Sequence, residues 1–275
     1  MILFFLKLIF KKEIIGGMKS VDINADMGES FGAYRIGNDE ALLKLVTSAN
    51  IACGFHAGDP VVMLRTVKAC KENDVEIGAH PGFPDLLGFG RRAMEVKPQE
   101  LEAYIIYQIG ALIGAAKSVK AEVLHVKPHG ALYNMAWTRR DYAEVIVRAV
   151  ASVSKDLIVV APYGSEVHKV AEAEGLKIAF EGFAERGYTK EGRLVPRGRE
   201  GAIIKDENVV AERALRMVSE GKVKSVDGVD IELVVNTICI HSDSPGSDRM
   251  AAIIRKRFEE AGIKVEPMYK VVGRI

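Results

Sequence analysis

The chain has 275 residues, 48% of them hydrophobic and 27% charged, with a formal net charge of +1. This length suits a single (β/α) barrel, which takes roughly 250 residues, and the balanced charge leaves no electrostatic footprint for nucleic acid. The three cysteines, Cys53, Cys70 and Cys239, are odd in number and lack C-x-x-C spacing, which points to reduced thiols in a cytoplasmic protein. Glutamine occurs only at Gln99 and Gln108, a depletion of the kind found in thermostable proteins.

The first ten residues are almost wholly apolar and run into Lys11-Lys12-Glu13. They are too few to span a bilayer, which takes about 20 residues, and no small-residue cleavage site follows. Residues 1–17 therefore read as an extension upstream of the fold, with Met18 a candidate first residue; the competing reading is a membrane or partner anchor. Residues 18–275 read as one domain.

The first strand is expected at 21–24, and its polar residues continue past it. Side chains alternate along a strand, so Asp22, Asn24 and Asp26 share one face. Gly28-Glu29-Ser30 follow. Buried polar groups need partners, so this row suggests a purpose-built cavity holding a general acid or base together with substrate or metal ligands. A helix is expected at 40–47. The second strand, at 49–54, puts Asn50 in line with His56. Asp59 then precedes Pro60 and reads as the N-cap of a helix over 61–73.

The third strand, at 76–80, ends in His80-Pro81-Gly82-Phe83-Pro84-Asp85 and leads to Gly88-Phe89-Gly90-Arg91-Arg92. Paired arginines in a glycine-rich loop suit bidentate capture of a carboxylate or phosphate. After a helix at 98–117, the fourth strand at 123–127 lines up His125, Lys127 and His129, with Tyr133 and Asn134 in the loop beyond. A lysine facing a barrel interior must pair with a carboxylate, hold an anionic substrate or act as a base of depressed pKa. His125 lies deeper and reads equally as a core histidine.

Helices at 140–152 and 165–174 flank a fifth strand at 157–161. A sixth strand at 177–181 ends in Glu181, and Glu185, Arg186 and Tyr188 open a long stretch over 182–205. Such a stretch inside a compact domain is a lid, a binding loop or disordered. Arg193 and Arg199 read as its solvated arginines. A helix at 207–220, a seventh strand at 232–240 and a helix at 247–261 complete the pattern. His241 and Asp243 share a face at the end of that strand, with Cys239 a small buried thiol below. Cys53 is expected to pack against helices, Cys70 to sit in a helix core and His168 on a helix surface.

Seven strand-then-helix units imply a parallel sheet with right-handed crossovers. A seven-stranded (β/α) TIM-like barrel fits better than an open sheet, because nearly every strand ends in a polar cluster, where barrel active sites gather. His56, His80, His129 and His241 could converge with Asp22 or Asp26 on a metal. No tight ligand spacing such as H-x-x-x-H supports it, so no tightly bound metal is assigned. No Walker-type loop is present, so any nucleotide must bind by another device or on another chain.

These motifs resemble one family, the LamB/YcsF proteins, over residues 21–274. The resemblance rests on Asp-Ile-Asn-Ala-Asp-Met-Gly-Glu (22–29), Asn-Ile-Ala-Cys-Gly-Phe-His-Ala-Gly-Asp-Pro (50–60), His-Pro-Gly-Phe-Pro-Asp (80–85), Gly-Phe-Gly-Arg-Arg (88–92) and Val-Lys-Pro-His-Gly-Ala-Leu-Tyr-Asn (126–134). Two segments depart from the family pattern. Glu185 stands in Glu-Arg-Gly-Tyr where the family has Asp-Arg-x-Tyr, and Ser242 stands in Cys-Ile-His-Ser-Asp-Ser-Pro where glycine is usual. The resemblance implies a barrel related to polysaccharide deacetylases and ATP-dependent opening of 5-oxo-L-proline to L-glutamate, with Mg2+ accompanying ATP. It also implies a need for partner subunits B and C.

On that footing the expected catalytic set is Asp22, Asp26 or Glu29 as general base, with Lys127, His129 and His56 stabilising the oxyanion or a phosphorylated intermediate. Arg91 or Arg92 would hold the substrate carboxylate. Asn24, Asn50, His80, Tyr133, Asn134, Glu185, Arg186, His241 and Asp243 complete the expected lining. Neither nucleic acid nor a membrane is an expected partner, and a homo-oligomer is compatible with the sequence. Two other readings compete: a stand-alone metal-dependent deacetylase or amidohydrolase, and a non-catalytic lactam-binding regulator.

Overall fold

The computed structural model describes residues 20–242 and 246–273. Expectations for residues 1–17 and for Asp243 lie outside the described residues. Among the described residues the strands run in chain order as β1 (Ser20–Met27), β2 (Ser48–Ala52), β3 (Glu76–His80), β4 (Val123–Val126), β5 (Ile158–Ala161), β6 (Ile178–Gly182), β7 (Lys222–Lys224), β8 (Asp230–Glu232), β9 (Thr237–His241) and β10 (Lys264–Val265). The described helices are α1 (Asp39–Leu42), α2 (Pro60–Glu72), α3 (Pro98–Ser118), α4 (Gly130–Thr138), α5 (Arg140–Val153), α6 (Glu166–Ala173), α7 (Glu207–Glu220), α8 (Ser247–Glu260) and α9 (Met268–Val272).

Strands β1 to β6 pair in sequence, and β9 pairs in parallel with both β6 and β1, which closes a seven-stranded parallel barrel. The closing register sets Asp26 opposite Asn50 on one side and His241 on the other. All of β1 is buried: Val21, Ile23, Ala25 and Met27 belong to the apolar core, while Asp22, Asn24 and Asp26 hydrogen-bond within the barrel. A parallel strand covered on both faces shows its alternation as apolar-out and polar-in only because this barrel's interior is polar.

The interior has two characters. On the β5–β6 side Ile158, Val160 and Ala179 form a small apolar cluster with Met268 and Val272 of α9. The backbone N–H groups of Met268 and Tyr269 donate to Ser48 Oγ and Glu76 Oε2 at the starts of β2 and β3. Thus α9 plugs the N-terminal end of the barrel, and the opposite end stays open.

Several boundaries differ from expectation. The segment expected as loop after Lys127 contains α4, which carries Tyr133 and Asn134; Gly130, with φ +54 at its first residue, disguises a helix start as a turn. Helix α1 is a single turn and not the longer helix expected at 40–47. The run expected as one strand from 232 is split, because residues 222–232 form the β7–β8 hairpin around Gly228, at φ +79, and β9 begins only at Thr237. Asp59 caps α2, accepting from the N–H groups of Val61 and Val62. Cys53, Cys70 and Cys239 are buried free thiols. His168 is half-buried against Tyr163 and Phe180, and not on the open helix surface. Among the described residues no helix is long and apolar enough to cross a membrane.

Candidate active site

The inward side chains stack in layers from the plugged end to the open mouth. In the deepest layer Asp22 accepts from Ser48 Oγ at 2.6 Å and Thr47 Oγ1 at 2.7 Å, and from Thr237 Oγ1. Burial pushes its carboxyl up to about 6, with the charge of Glu76 adding to the rise. The next layer is a polar chain. His125 joins Glu76 Oε1 and Asn50 Oδ1, each at 2.9 Å. Asn50 Nδ2 donates to Asn24 Oδ1 at 2.7 Å and to Asp26 Oδ1 at 2.9 Å. Both ring nitrogens of His125 are committed, so it is a core histidine, and Gly78 makes room for it: a Cβ there would lie 2.0 Å from His125 Nε2.

The third layer forms the cavity floor. Lys127 Nζ lies 2.9 Å from Asp26 Oδ1, 2.8 Å from Glu181 Oε1 and 3.0 Å from Cys239 Sγ. Its N–H groups donate to Asp26 Oδ1, to Cys239 Sγ and, at 3.4 Å, to Asn24 Oδ1, while Glu181 faces the ammonium as an ion pair. Burial works against the charged lysine, but Asp26, Cys239 and Glu181 hold its pKa well above the ordinary value. The depressed-pKa alternative for Lys127 is thereby removed. Burial likewise works against ionised Asp26, yet His80 and Lys127 hold that carboxyl well below its usual range.

Beside this floor, the loops after β2, β3 and β4 bring His56, His80 and His129 together with Glu29. The ring of His56 stacks on His129 at a centroid distance of 3.7 Å and an angle of 3°. His129 Nδ1 is 2.9 Å from His80 Nε2. One donor atom from each of the four side chains lies within 4.8 Å of the others. Burial pushes the imidazoles of His56 and His129 well below their ordinary pKa, so both rings are neutral.

Above lies a cavity of about 510 Å³ lined by Asp26, His80, Lys127, His129, Tyr133, Asn134, Phe183 and His241. Arg91, Arg186, Arg193 and Arg197 add a cationic rim. The 182–205 stretch is its ordered roof. Buried Arg186 donates through Nε to Ala202 O and through Nη2 to Val195 O, and so ties the roof together from inside. His241 Nδ1 contacts Glu185 Oε1, and its ring stacks on Phe183. Burial, reinforced by Glu181, raises the Tyr133 phenol well above its usual pKa, so it stays protonated.

The expected residues thus separate by depth. Asp26, His80, Arg91, Lys127, His129, Tyr133, Asn134, Arg186 and His241 reach the cavity. Asn24 and Asn50 lie beneath it as hydrogen-bonding supports. Asp22 does not reach it: it is saturated by three hydroxyls, one of which, Thr237 Oγ1, also accepts from Asn24 Nδ2, which corrects the reading of Asp22 as a base for cavity water. Arg92 is also corrected. Its guanidinium pairs with buried Asp85, its side chain is 65% exposed, and it organises the loop from outside. Arg193, read from sequence as solvated, lines the cavity instead.

Two further residues support the site, Glu181 in the floor and Gln108 behind the loop after β3. Glu181 could have been placed by its parity with inward Ala179. Gln108 carried no local signal: from α3 it accepts from Gly82 N and donates to Gly82 O, fixing the loop after His80.

A closed parallel barrel whose strand ends gather carboxylates, imidazoles and a buried ammonium around one cavity belongs to the barrels that do their chemistry at the C-terminal face. The LamB/YcsF family model matches residues 21–273, and the chain belongs to that family. A Pyrococcus horikoshii protein described as the A subunit of 5-oxoprolinase is 50% identical over 252 residues, covering 92% of this chain and 99% of its own. A Bacillus licheniformis protein of the same description is 50% identical over 249 residues, covering 90% and 98%. The crystal structure of a lactam utilization protein from Thermus thermophilus superposes with a TM-score of 0.86 at 44% identity, covering 90% of this chain and 99% of the other. A putative cellobiose-phosphate cleavage protein from Enterococcus faecalis shares the fold alone, at 16% identity and a TM-score of 0.58, covering 93% of this chain and 99% of the other.

Proposed function

We propose that this chain is the lactam-handling subunit of a 5-oxoprolinase, opening 5-oxo-L-proline to L-glutamate with hydrolysis of MgATP and in complex with subunits B and C. The observation that carries the reading is the Lys127 ammonium held between Asp26 and Glu181 on the floor of an arginine-rimmed cavity. Relatives that cover nearly all of this chain and are described as the A subunit of 5-oxoprolinase support it.

The chemistry follows from the substrate. A lactam carbonyl is deactivated by resonance with its nitrogen, so water attacks it slowly. Transfer of the ATP γ-phosphoryl group to the amide oxygen removes that deactivation and creates a leaving group. Water then adds to the activated carbon, the C–N bond breaks as the nitrogen takes up a proton to leave an acyl phosphate, and a second water releases phosphate from it to give the open-chain amino acid. Lys127 is placed to offset negative charge that develops on the oxygen. Asp26, kept ionised by Lys127, is the carboxylate of the first strand that reaches the cavity and can take the proton of the attacking water. Arg91 and the roof arginines suit the substrate carboxylate and the transferred phosphoryl group.

The test is reconstitution. The purified chain mixed with subunits B and C, MgATP and 5-oxo-L-proline should form glutamate and ADP in equal amounts, and omission of the chain should stop glutamate formation. Glutamate formation that persists without the chain would overturn the proposal.

A further inference from the structure

We propose that Glu29, His56, His80 and His129 hold one divalent transition-metal ion of the zinc type in the wall of the cavity. The proton positions argue for it first. His80 Nδ1 lies 2.7 Å from Lys127 O, and a carbonyl oxygen only accepts, so Nδ1 carries the proton. His129 Nε2 lies 2.8 Å from Phe89 O and carries its proton for the same reason. The remaining nitrogens, His80 Nε2 and His129 Nδ1, face each other across 2.9 Å, with Asp26 Oδ2 3.4 Å from His80 Nε2, and as neutral rings they present lone pairs to each other. Two lone pairs at that separation repel unless a cation lies between or beside them. Backbone carbonyls that fix the outer N–H of a histidine, and so aim its lone pair, are the usual outer partners of a metal-bound imidazole.

His56 supplies an independent observation. Its side chain is fully buried, yet neither ring nitrogen has a hydrogen-bond partner. A buried polar group left in that condition costs about 1–3 kcal/mol. A proton shared by His80 and His129 would relieve that pair and leave His56 as it is; a metal ion relieves that pair and gives one nitrogen of His56 a partner as well.

The ring is also wedged in place. A Cβ at Gly82 would lie 2.7 Å from His56 Nδ1, and one at Gly90 would lie 2.7 Å from His56 Cβ and 2.8 Å from His129 Cδ2. Glu29 Oε1 lies 3.5 Å from His56 Nε2 and 3.7 Å from His129 Nδ1. Tetrahedral zinc with Zn–N of about 2.0–2.1 Å spaces its ligands about 3.4 Å apart. The His80–His129, Glu29–His56 and Glu29–His129 separations of 2.9, 3.5 and 3.7 Å bracket that value.

Three imidazoles and one carboxylate favour a borderline ion over Mg2+ or Ca2+, which prefer oxygen ligands. The other local group, Asp26, Cys239 and His241, is a poor rival because the Lys127 ammonium already lies among its ligands. His80 and His129 also line the cavity, which places the ion in the cavity wall. The inference stands on this geometry and does not depend on the lactam reading.

The test needs no activity. The full chain is stripped with chelator, exposed to Zn(II) or Co(II) alone and desalted. It should retain about one ion per chain, and the cobalt form should absorb strongly in the visible as a low-coordinate, nitrogen-ligated centre. His56→Ala and His129→Ala should each weaken retention about 10-fold or more, while His168→Ala should match the wild type. Retention below about a tenth of an ion per chain with a hexaaquo-like cobalt spectrum, or imidazole nitrogen NMR showing a proton shared by His80 and His129 in the zinc-exposed protein, would overturn it. The wild-type cobalt spectrum decides even if a variant fails to fold.

Discussion

Asp22 shows what depth does to a residue whose type alone suggests chemistry. Its carboxyl is buried without a cation beside it, and its pKa rises from 3.8 to about 6. The folded state therefore holds this proton more tightly than the unfolded chain does. The sign follows: the contribution to stability is fully present below the unfolded pKa and is lost as pH rises through the folded one. At 1.36 kcal/mol per unit, the loss amounts to about 3 kcal/mol. Asp22→Asn should therefore gain about 2 kcal/mol relative to the wild type between pH 4 and pH 7 in denaturant titrations. A wild-type-minus-variant difference that stays flat with pH would refute the assignment.

Parity along β1 and β4 showed which side chains turn inward, since alternation is a local property of an extended chain. Which of them reach the mouth was not legible, because depth depends on the register against neighbouring strands. Asp22 and Asp26 are equivalent by alternation, and only the pairing with Ser48, Thr237, Asn50 and His241 separates them. Lys127 was legible as an inward cation that needs carboxylates. Glu181 was harder to connect to it, being contributed by a strand more than fifty residues away in sequence.

At the scale of elements, capping and bracing position the loops that carry the imidazoles. The N-cap Asp59 was readable because Asp before Pro at a helix start is a local signature, and it accepts from both Val61 and Val62. Asp59→Ala should cost about 1 kcal/mol, read as a shift in urea midpoint without a change in slope. Gln108 acts across elements: from α3 it satisfies both the N–H and the C=O of Gly82. Gln108→Leu leaves both groups buried and unpaired, so destabilisation of about 2 kcal/mol or more is expected by denaturant titration; an unchanged midpoint would show that the brace is dispensable. The amphipathic helices were legible from period and stop signals. Helix α4 was not, since its residues are apolar nearly all round and it begins on a glycine with positive φ.

For the whole molecule, the division between a plugged end and an open end decides where chemistry can occur. The C-terminal helix α9 covers one end with Met268 and Val272. At the other, the 182–205 roof lays Arg186, Arg193 and Arg197 over the Asp26–Lys127–Glu181 floor. The seven-stranded barrel was legible because strand and helix patterns alternate seven times. The roof's role was not, because its arginines sit in irregular chain with no period to place them, and Arg193 read as solvated for that reason.

The central claim is that the buried ammonium on the cavity floor drives ring opening. Its most direct measurement is glutamate formation from 5-oxo-L-proline by the complex with subunits B and C, comparing wild type with Lys127→Met. Removing a preorganised stabilising donor costs about 100-fold or more in kcat, so the account predicts at least that loss in a folded variant. A Lys127→Met complex that turns over at the wild-type rate would contradict it.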